Sequence, residues 1–457
     1  MLRRSSSLFG ISDNRPSEGS AGLSLIVQAN VARPSIDAKL WDARRNPKYV
    51  TLNLTGALGI YGYRDQEALN IDRNLAIALA NLLLCDDRAW ERLRLEYCGG
   101  HIDIVIAVAL MHGAIREISF SEVILESPII HSLSTGLKFN SSVVYLKLQS
   151  CSLDNEQVSA LSEGLTGNIS ILSISFVKCE LSDEHMSILL NALTQSPQLQ
   201  RLNLEGNHCR SQGISALASL LDGSDQFLSL SLHNQHVMEE NDNHLDILPL
   251  IQTLSNRHSS LRYLDLSRNS LGDDDISCFT EAFAQPASSP LLSNMTLETL
   301  HLDQNLISDN GAQIIAQALA HFGALKVLAT TDNPFSSVGA EAIAAAMVTN
   351  NSLETVIIPS GLSDLQRRIR WYGNLNKGGR RIFDSVQEGH VWRLRPLFPL
   401  IFQRINKMRL SHDWNPVTAP SDVIFYALQR VGHGILSDSP PSPTGSTIES
   451  STLAEEL

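Results

Sequence analysis

The sequence predicts an α/β solenoid of about ten strand–helix units stacked in series, with a small helical module at the C-terminal side. Three observations predict it. The phrase Leu-x-x-Leu-x-Leu-x-x-(Asn/Cys)-x-Leu returns along the chain, mostly at 28-residue intervals. Between copies, apolar residues recur three and four apart. After the last copy the composition turns abruptly basic and aromatic.

The phrase is clearest at Val143-x-x-Leu146-x-Leu148-x-x-Cys151-x-Leu153 and at Leu261, Leu264, Leu266, Asn269 and Leu271. Taking its second apolar position as an index, the copies fall at Leu93, Ile118, Leu146, Ile174, Leu202, Leu230, Leu264, Leu300, Leu328 and Val356. A degenerate earlier copy sits at Leu52 and Leu54. Leu-x-Leu has the period of a strand with one face buried. The clusters Leu153-Asp154-Asn155, Leu181-Ser182-Asp183, Leu271-Gly272-Asp273 and Ile307-Ser308-Asp309 follow four of the strands. Side-chain oxygens there accept from the free N–H groups of a helix start. Helical spacing follows, as in Met186, Leu189, Leu190 and Leu193. A single strand–helix unit cannot bury its own apolar edge, so the units must stack.

The ninth position of the phrase holds Cys98, Cys151, Cys179, Asn207, Gln235, Asn269, Asn305 and Asn333. An amide or thiol there can donate to backbone carbonyls of a buried turn, a structural role. Two index steps are long. They carry extra residues near Met238–Asn243 and Gln285–Ser293, which the solenoid must place in connecting loops. The last copy ends in Ile358-Pro359 and lacks the Asn, which a strand at the end of a stack tolerates.

The flanks differ. Residues 1–45 are rich in Ser, Arg and Gly and read as a mostly disordered arm. Residues 46–362 read as the solenoid. Residues 363–434 read as a helical cap: between Leu365 and Leu410 there are eleven Lys and Arg but only two Asp and Glu. With a net charge of −13, that segment of +9 leaves −22 for the remainder. Asp364–Leu375 reads as a helix ended by Gly378-Gly379. Residues 435–457 are Ser-, Thr-, Pro- and Glu-rich and read as a disordered tail, with Ser439-Pro440 and Ser442-Pro443 as candidate phosphorylation sites.

The spacing, the Asn/Cys alternation and the long helical back segment resemble the ribonuclease-inhibitor-like leucine-rich repeats. The resemblance covers about residues 90–362 and implies a horseshoe-shaped leucine-rich-repeat solenoid. That group includes enzyme inhibitors, activators of a nuclear-transport small GTPase, innate immune sensors and cytoskeletal scaffolds. The piece Trp371-Tyr-Gly-Asn-Leu-Asn-Lys-Gly-Gly-Arg-Arg, with the Trp- and Leu-Pro-containing stretch after it, resembles a segment that follows leucine-rich repeats in proteins of diatoms and related algae.

The sequence speaks against most chemistry. It has no Gly-x-x-x-x-Gly-Lys-(Ser/Thr) loop, no His-Glu-x-x-His and no Gly-x-Ser-x-Gly. His233, His236 and His244 lack a Cys or carboxylate partner at ligand spacing. The six cysteines follow the repeat rather than a Cys-x-x-Cys pattern, and reduced interior thiols point to an intracellular, cytoplasmic or nuclear, setting. Hydropathy offers no membrane span. The triplets Asn140-Ser-Ser142 and Asn168-Ile-Ser170 match a glycosylation acceptor, but without a secretion signal they read as unmodified.

The functional reading is therefore a non-enzymatic protein-binding scaffold or regulator working through its concave strand face, with no cofactor or metal. The outward strand columns are mixed in charge, which favours a protein or peptide partner over nucleic acid. The candidate contact residues are Arg94, Tyr145, Lys147, Tyr263, Asp265, Arg268, His301 and Asp303, types suited to interface anchors. The alternative is a small-GTPase regulator resembling the leucine-rich-repeat activators of the nuclear-transport GTPase. Against it, those activators carry a long acidic tail, and here the segment before the tail is basic. The sequence sets neither the partner's identity nor an oligomeric state.

Overall fold

In a computed structural model, the described residues are 23–28, 49–55, 68–84, 90–235, 245–255, 260–284, 296–319 and 322–377, with isolated positions between 35 and 43. The chain divides into two compact units, Met1–Asn269 and Ser270–Leu457.

The first unit is built on parallel strands. They are β1 (Leu23–Gln28), β2 (Tyr49–Thr55), β4 (Arg92–Glu96), β6 (Glu117–Ser121), β7 (Tyr145–Gln149), β8 (Ser173–Val177), β9 (Arg201–Asn203), β10 (Ser229–Ser231) and β11 (Tyr263–Asp265), adjacent in that order. A side pair joins β3 (Leu69–Ile71) to β5 (Cys98–Gly100), also in parallel. Helices Arg73–Leu83, Ile102–Met111, Ser127–Phe139, Asn155–Leu165, Asp183–Leu193, Ser211–Asp222 and Leu248–Ser255 alternate with the strands and pack on one another in sequence.

The index leucines stack as the repeat requires. Leu52 lies opposite Leu93, Leu93 opposite Ile118, and the register continues through Leu146, Ile174, Leu202, Leu230 and Leu264. All are buried. Burying a Leu or Ile side chain is worth about 1.5–3 kcal/mol, and stacking realises it once per repeat. The degenerate copy at Leu52 and Leu54 is thus a true strand. Strand β1 was not expected: it lies inside the stretch read as a mostly disordered arm, yet Leu25 and Val27 are buried and it pairs with β2 along its whole length.

The second unit repeats the pattern. Strands β12 (Thr299–His301), β13 (Val327–Ala329) and β14 (Thr355–Ile357) are parallel neighbours. Helices Asp273–Ala284, Asp309–Ala318 and Ser337–Ala346 alternate with them. Helix Ser363–Lys377, expected over Asp364–Leu375, packs on β14 and on Ser337–Ala346, with Ile369 and Leu375 buried. Both long-step insertions and everything after Lys377 lie outside the described residues, as does most of the proposed cap.

The helix starts are capped where the sequence places Asp and Ser. Asp154 accepts from Gln157 N, whose side chain accepts in return from Asp154 N; Ser182 and His185 form the same reciprocal pair. Ser308 caps Asp309–Ala318. At Gly272 the cap is inverted, with the glycine N–H donating to Asp275 Oδ2 at 2.8 Å.

Candidate functional site

The outward strand face begins with register. In the first unit Arg94, Ser119, Lys147, Ser175, Asn203, Ser231 and Asp265 lie side by side on consecutive strands. In the second, His301 lies beside Ala329 and Ala329 beside Ile357. The central column read from the sequence is therefore an actual row of neighbouring side chains within each unit.

What holds the face rigid is the ladder behind it. Asn207 is fully buried; its Nδ2 donates to the carbonyls of Phe176 and Leu204, both at 2.8 Å. Its Oδ1 accepts from Cys179 N at 3.1 Å and Leu181 N at 3.2 Å. Asn269 and Gln235 make equivalent links in the first unit, as do Asn305 and Asn333 in the second. Cys179 Sγ reaches only carbonyls, Leu148 O at 3.4 Å among them. Burial pushes the Cys98 and Cys179 thiols up to about 12 and raises those of Cys151 and Cys209, so these sulfurs stay protonated and inert.

A second ladder was not anticipated. Asn140 Nδ2 donates to Leu110 O at 2.7 Å, and its Oδ1 accepts from Ser142 N and Val143 N, both at 2.8 Å. Asn168 repeats this with Leu137 O, Ser170 N and Ile171 N, and in the second unit Asn350 does so with Leu319 O, Ser352 N and Leu353 N. Ser142 Oγ and Ser352 Oγ donate to carbonyls of the preceding repeat at 2.9 Å. The Asn-x-Ser triplets are thus turn staples between helix end and strand start. The signal for the first two was their spacing of 28, the repeat length.

The eight candidate contact residues fall into different settings. Arg94 is exposed, with its guanidinium 3.1 Å from Glu117, which also meets Arg92 at 3.4 Å. Tyr145 and Lys147 are half-buried on β7. Arg268 is exposed at φ 61°, in the left-handed turn position that Tyr97, Glu122, Ser150 and Lys178 also occupy. Tyr263 and Asp265, expected to face a partner, are instead 9% and 2% exposed. Asp265 Oδ1 accepts from Ser267 N at 2.9 Å, and Oδ2 has Tyr263 Oη at 3.4 Å and His233 Nδ1 at 3.8 Å. Burial pushes the Asp265 carboxyl up, but the nearby His233 imidazole and the hydrogen bonding from Ser267 outweigh it and hold the group below its ordinary value. Asp265 therefore organises its own turn. In the second unit His301 and Asp303 are half-buried and paired at 3.4 Å, and Asp303 Oδ1 accepts from Thr331 N at 2.7 Å.

The family described as Leucine Rich repeat matches residues 257–279 and 293–316. The chain carries leucine-rich repeats. A search of curated protein sequences finds no match. Among solved structures, an internalin from Listeria monocytogenes is similar at 14% identity over 73% of this chain and 86% of the other, with a TM-score of 0.36. A Bacteroides fragilis protein is similar at 13% identity over 74% of each chain, TM-score 0.33. Leiomodin-1 actin-binding site 2 is similar at 15% identity over 34% of this chain and 84% of its own, TM-score 0.28. Among the described residues no group of three or more His, Cys, Asp or Glu is arranged for a metal. No helix among them is long and apolar enough to cross a membrane.

Proposed function

We propose that this protein is a non-enzymatic, intracellular scaffold that binds a protein or peptide partner along the outward face of its parallel strands. The observation that carries the reading is the in-register row of polar side chains on strands whose turns are locked by buried amides. A preorganised face loses little conformational freedom on binding, so more of each contact appears as affinity. In the first unit Arg94, Tyr145 and Lys147 are the contact residues, with Arg268 at the turn beyond β11. In the second they are His301 and Asp303. Tyr263 and Asp265 act behind them, shaping the surface. The mixed charge of Arg94, Glu117 and Lys147 suits a partner that also carries both signs.

Helical serines beside an open groove between Asp183–Leu193 and Ser211–Asp222 support no hydrolase reading. Ser215 Oγ and Ser219 Oγ each donate to a carbonyl one turn back, at 2.7 and 3.0 Å, the common resting state of a helical hydroxyl.

A photo-crosslinking residue placed at Lys147 of the full chain, and at exposed Glu163 on the helical side as control, tests the proposal in native lysate. A discrete protein adduct from position 147 alone, weakened by Arg94→Glu, is expected. Equal adducts from both positions, or adducts to nucleic acid, overturn it.

A further inference from the structure

At the other end of the first unit's strands, three large apolar side chains stand in solvent. Met111 is 83% exposed, Phe139 80% and Ile169 66%. Met111 and Phe139 each end a helix and are one 28-residue repeat apart, and Ile169 lies in the corresponding turn of the next repeat. Parallel strands all point one way, so these helix-to-strand turns share one edge.

The three are held together rather than scattered. A Cβ on Gly136 would lie 2.3 Å from Leu110 Cδ1, and one on Gly164 would lie 2.5 Å from Ser134 O. Two glycines therefore let three consecutive helix ends close on each other. The second asparagine ladder then pins the turns. Asn140, next to Phe139, bonds the carbonyl of Leu110, next to Met111; Asn168, next to Ile169, bonds the carbonyl of Leu137. Isolated exposed apolar residues need no explanation, but large ones on three consecutive turns of one edge are the kind of surface that marks an interaction site.

Charge along the two edges is unequal. The turns 112–116, 140–144, 166–172 and 194–200 contain no Asp or Glu, while Arg116 and Lys138 are exposed beside the apolar set. The opposite turns 97–101, 122–126, 150–154 and 178–182 carry Glu122, Glu126, Asp154 and Glu180 against Lys178. In a chain of net charge −13, these four carboxylate-free turns with two exposed cations beside them suit an acidic segment. Membrane capture by surface charge takes a cluster of about 4–8 Lys and Arg, more than this edge offers.

We propose that Met111, Phe139 and Ile169 form a docking ridge, separate from the strand face, for a protein segment that combines apolar anchors with carboxylates. The anchors pack against the exposed Met111, Phe139 and Ile169 side chains, and the carboxylates meet Arg116 and Lys138.

The test is selection of a phage-displayed random dodecapeptide library on the full chain. A parallel selection uses the chain carrying Met111→Ser, Phe139→Ser and Ile169→Ser. All three side chains are exposed, so the triple variant keeps the parent's melting curve; should it melt lower, the pair Arg116→Glu and Lys138→Glu takes its place. Peptides that bind the parent and lose at least about tenfold on the variant are expected to carry Asp or Glu beside Leu, Phe or Met. The charge-reversed chain binds those peptides several-fold more weakly. Absence of ridge-dependent peptides, or ridge-dependent peptides without carboxylates, overturns the proposal. So does ridge-dependent capture on phosphatidylserine vesicles, which makes the site a lipid contact. A parent dimer that the triple variant turns into a monomer makes it a self-interface and overturns the proposal equally. Lys147→Glu leaves the selected peptides' binding unchanged, which separates this site from the strand face.

Discussion

Replacing Asn207 by Ala removes one amide and leaves three buried backbone groups without it: the carbonyl of Phe176 and the N–H groups of Cys179 and Leu181, while Leu204 O keeps its bond from Gln235 Nε2. A buried polar group left unmet costs about 1–3 kcal/mol. If water entering the vacated space serves one of the three, the remaining two set a loss of about 3–4 kcal/mol. That is a large share of the roughly 5–15 kcal/mol available to a typical domain. Asn207→Cys restores one donor and no acceptor, as Cys179 already does one repeat earlier, so it loses about half as much. Asn191→Ala, on an exposed helix surface, is the control and stays within about 0.5 kcal/mol of the parent. Urea unfolding gives the totals, but repeat arrays need not unfold in one step. Amide hydrogen exchange therefore supplies the second reading, and Cys179 and Leu181 N–H should lose protection in the Ala variant before distant repeats do. A loss under about 1 kcal/mol, with protection at those two amides unchanged, would refute the claim that the ninth-position amide holds adjacent repeats together.

Gly164→Ala should destabilise by about 1–3 kcal/mol, because the new methyl meets the Ser134 backbone at 2.5–2.9 Å and backbone cannot swing aside. Gly167→Ala enters open space and carries only the strain of φ +71°, about 1–2 kcal/mol, so thermal melts in which the Gly167 change is the worse of the two argue against close helix contact. Asp309 accepts from Ser336 Oγ, Gly339 N and Ser336 N; the Ser336 hydroxyl contributes most to holding the carboxyl below its ordinary value. A depressed folded pKa adds stability above the unfolded pKa of about 4 and loses it as pH falls through the folded value. The gap in urea midpoint between parent and Asp309→Asn should therefore be widest at neutral pH and narrow below pH about 4, and a gap independent of pH would show that the carboxylate charge is irrelevant.

Legibility differed by element. The strands from Leu93 onward, the Ser and Asp caps and the ninth-position amides could be read directly, because each repeat restates the same local need and the copies check one another. Strand β1 could not. Leu23–Gln28 is a single short apolar run with no repeat phrase around it, and its partner β2 begins more than twenty residues later. The second ladder was visible as Asn-x-Ser, but a triplet that common carries no meaning until its turn is seen to sit against the previous helix end. At the candidate site the row of neighbours was legible from period two alone. Exposure was not: Asp265 and Arg94 hold the same strand position, yet one is buried and the other exposed.

By itself, then, the spacing of Leu, Asn and Cys determines that this chain is an α/β stack of leucine-rich repeats and which side chains face away from its core. Those properties follow from periodicity, which is local and repeated. Only tertiary structure decides which outward residues remain available, because exposure depends on what the neighbouring strands and turns place alongside. His233 and Ser267 turn Asp265 inward, while Gly136 and Gly164 draw three helix ends together and leave Met111, Phe139 and Ile169 as a ridge in water.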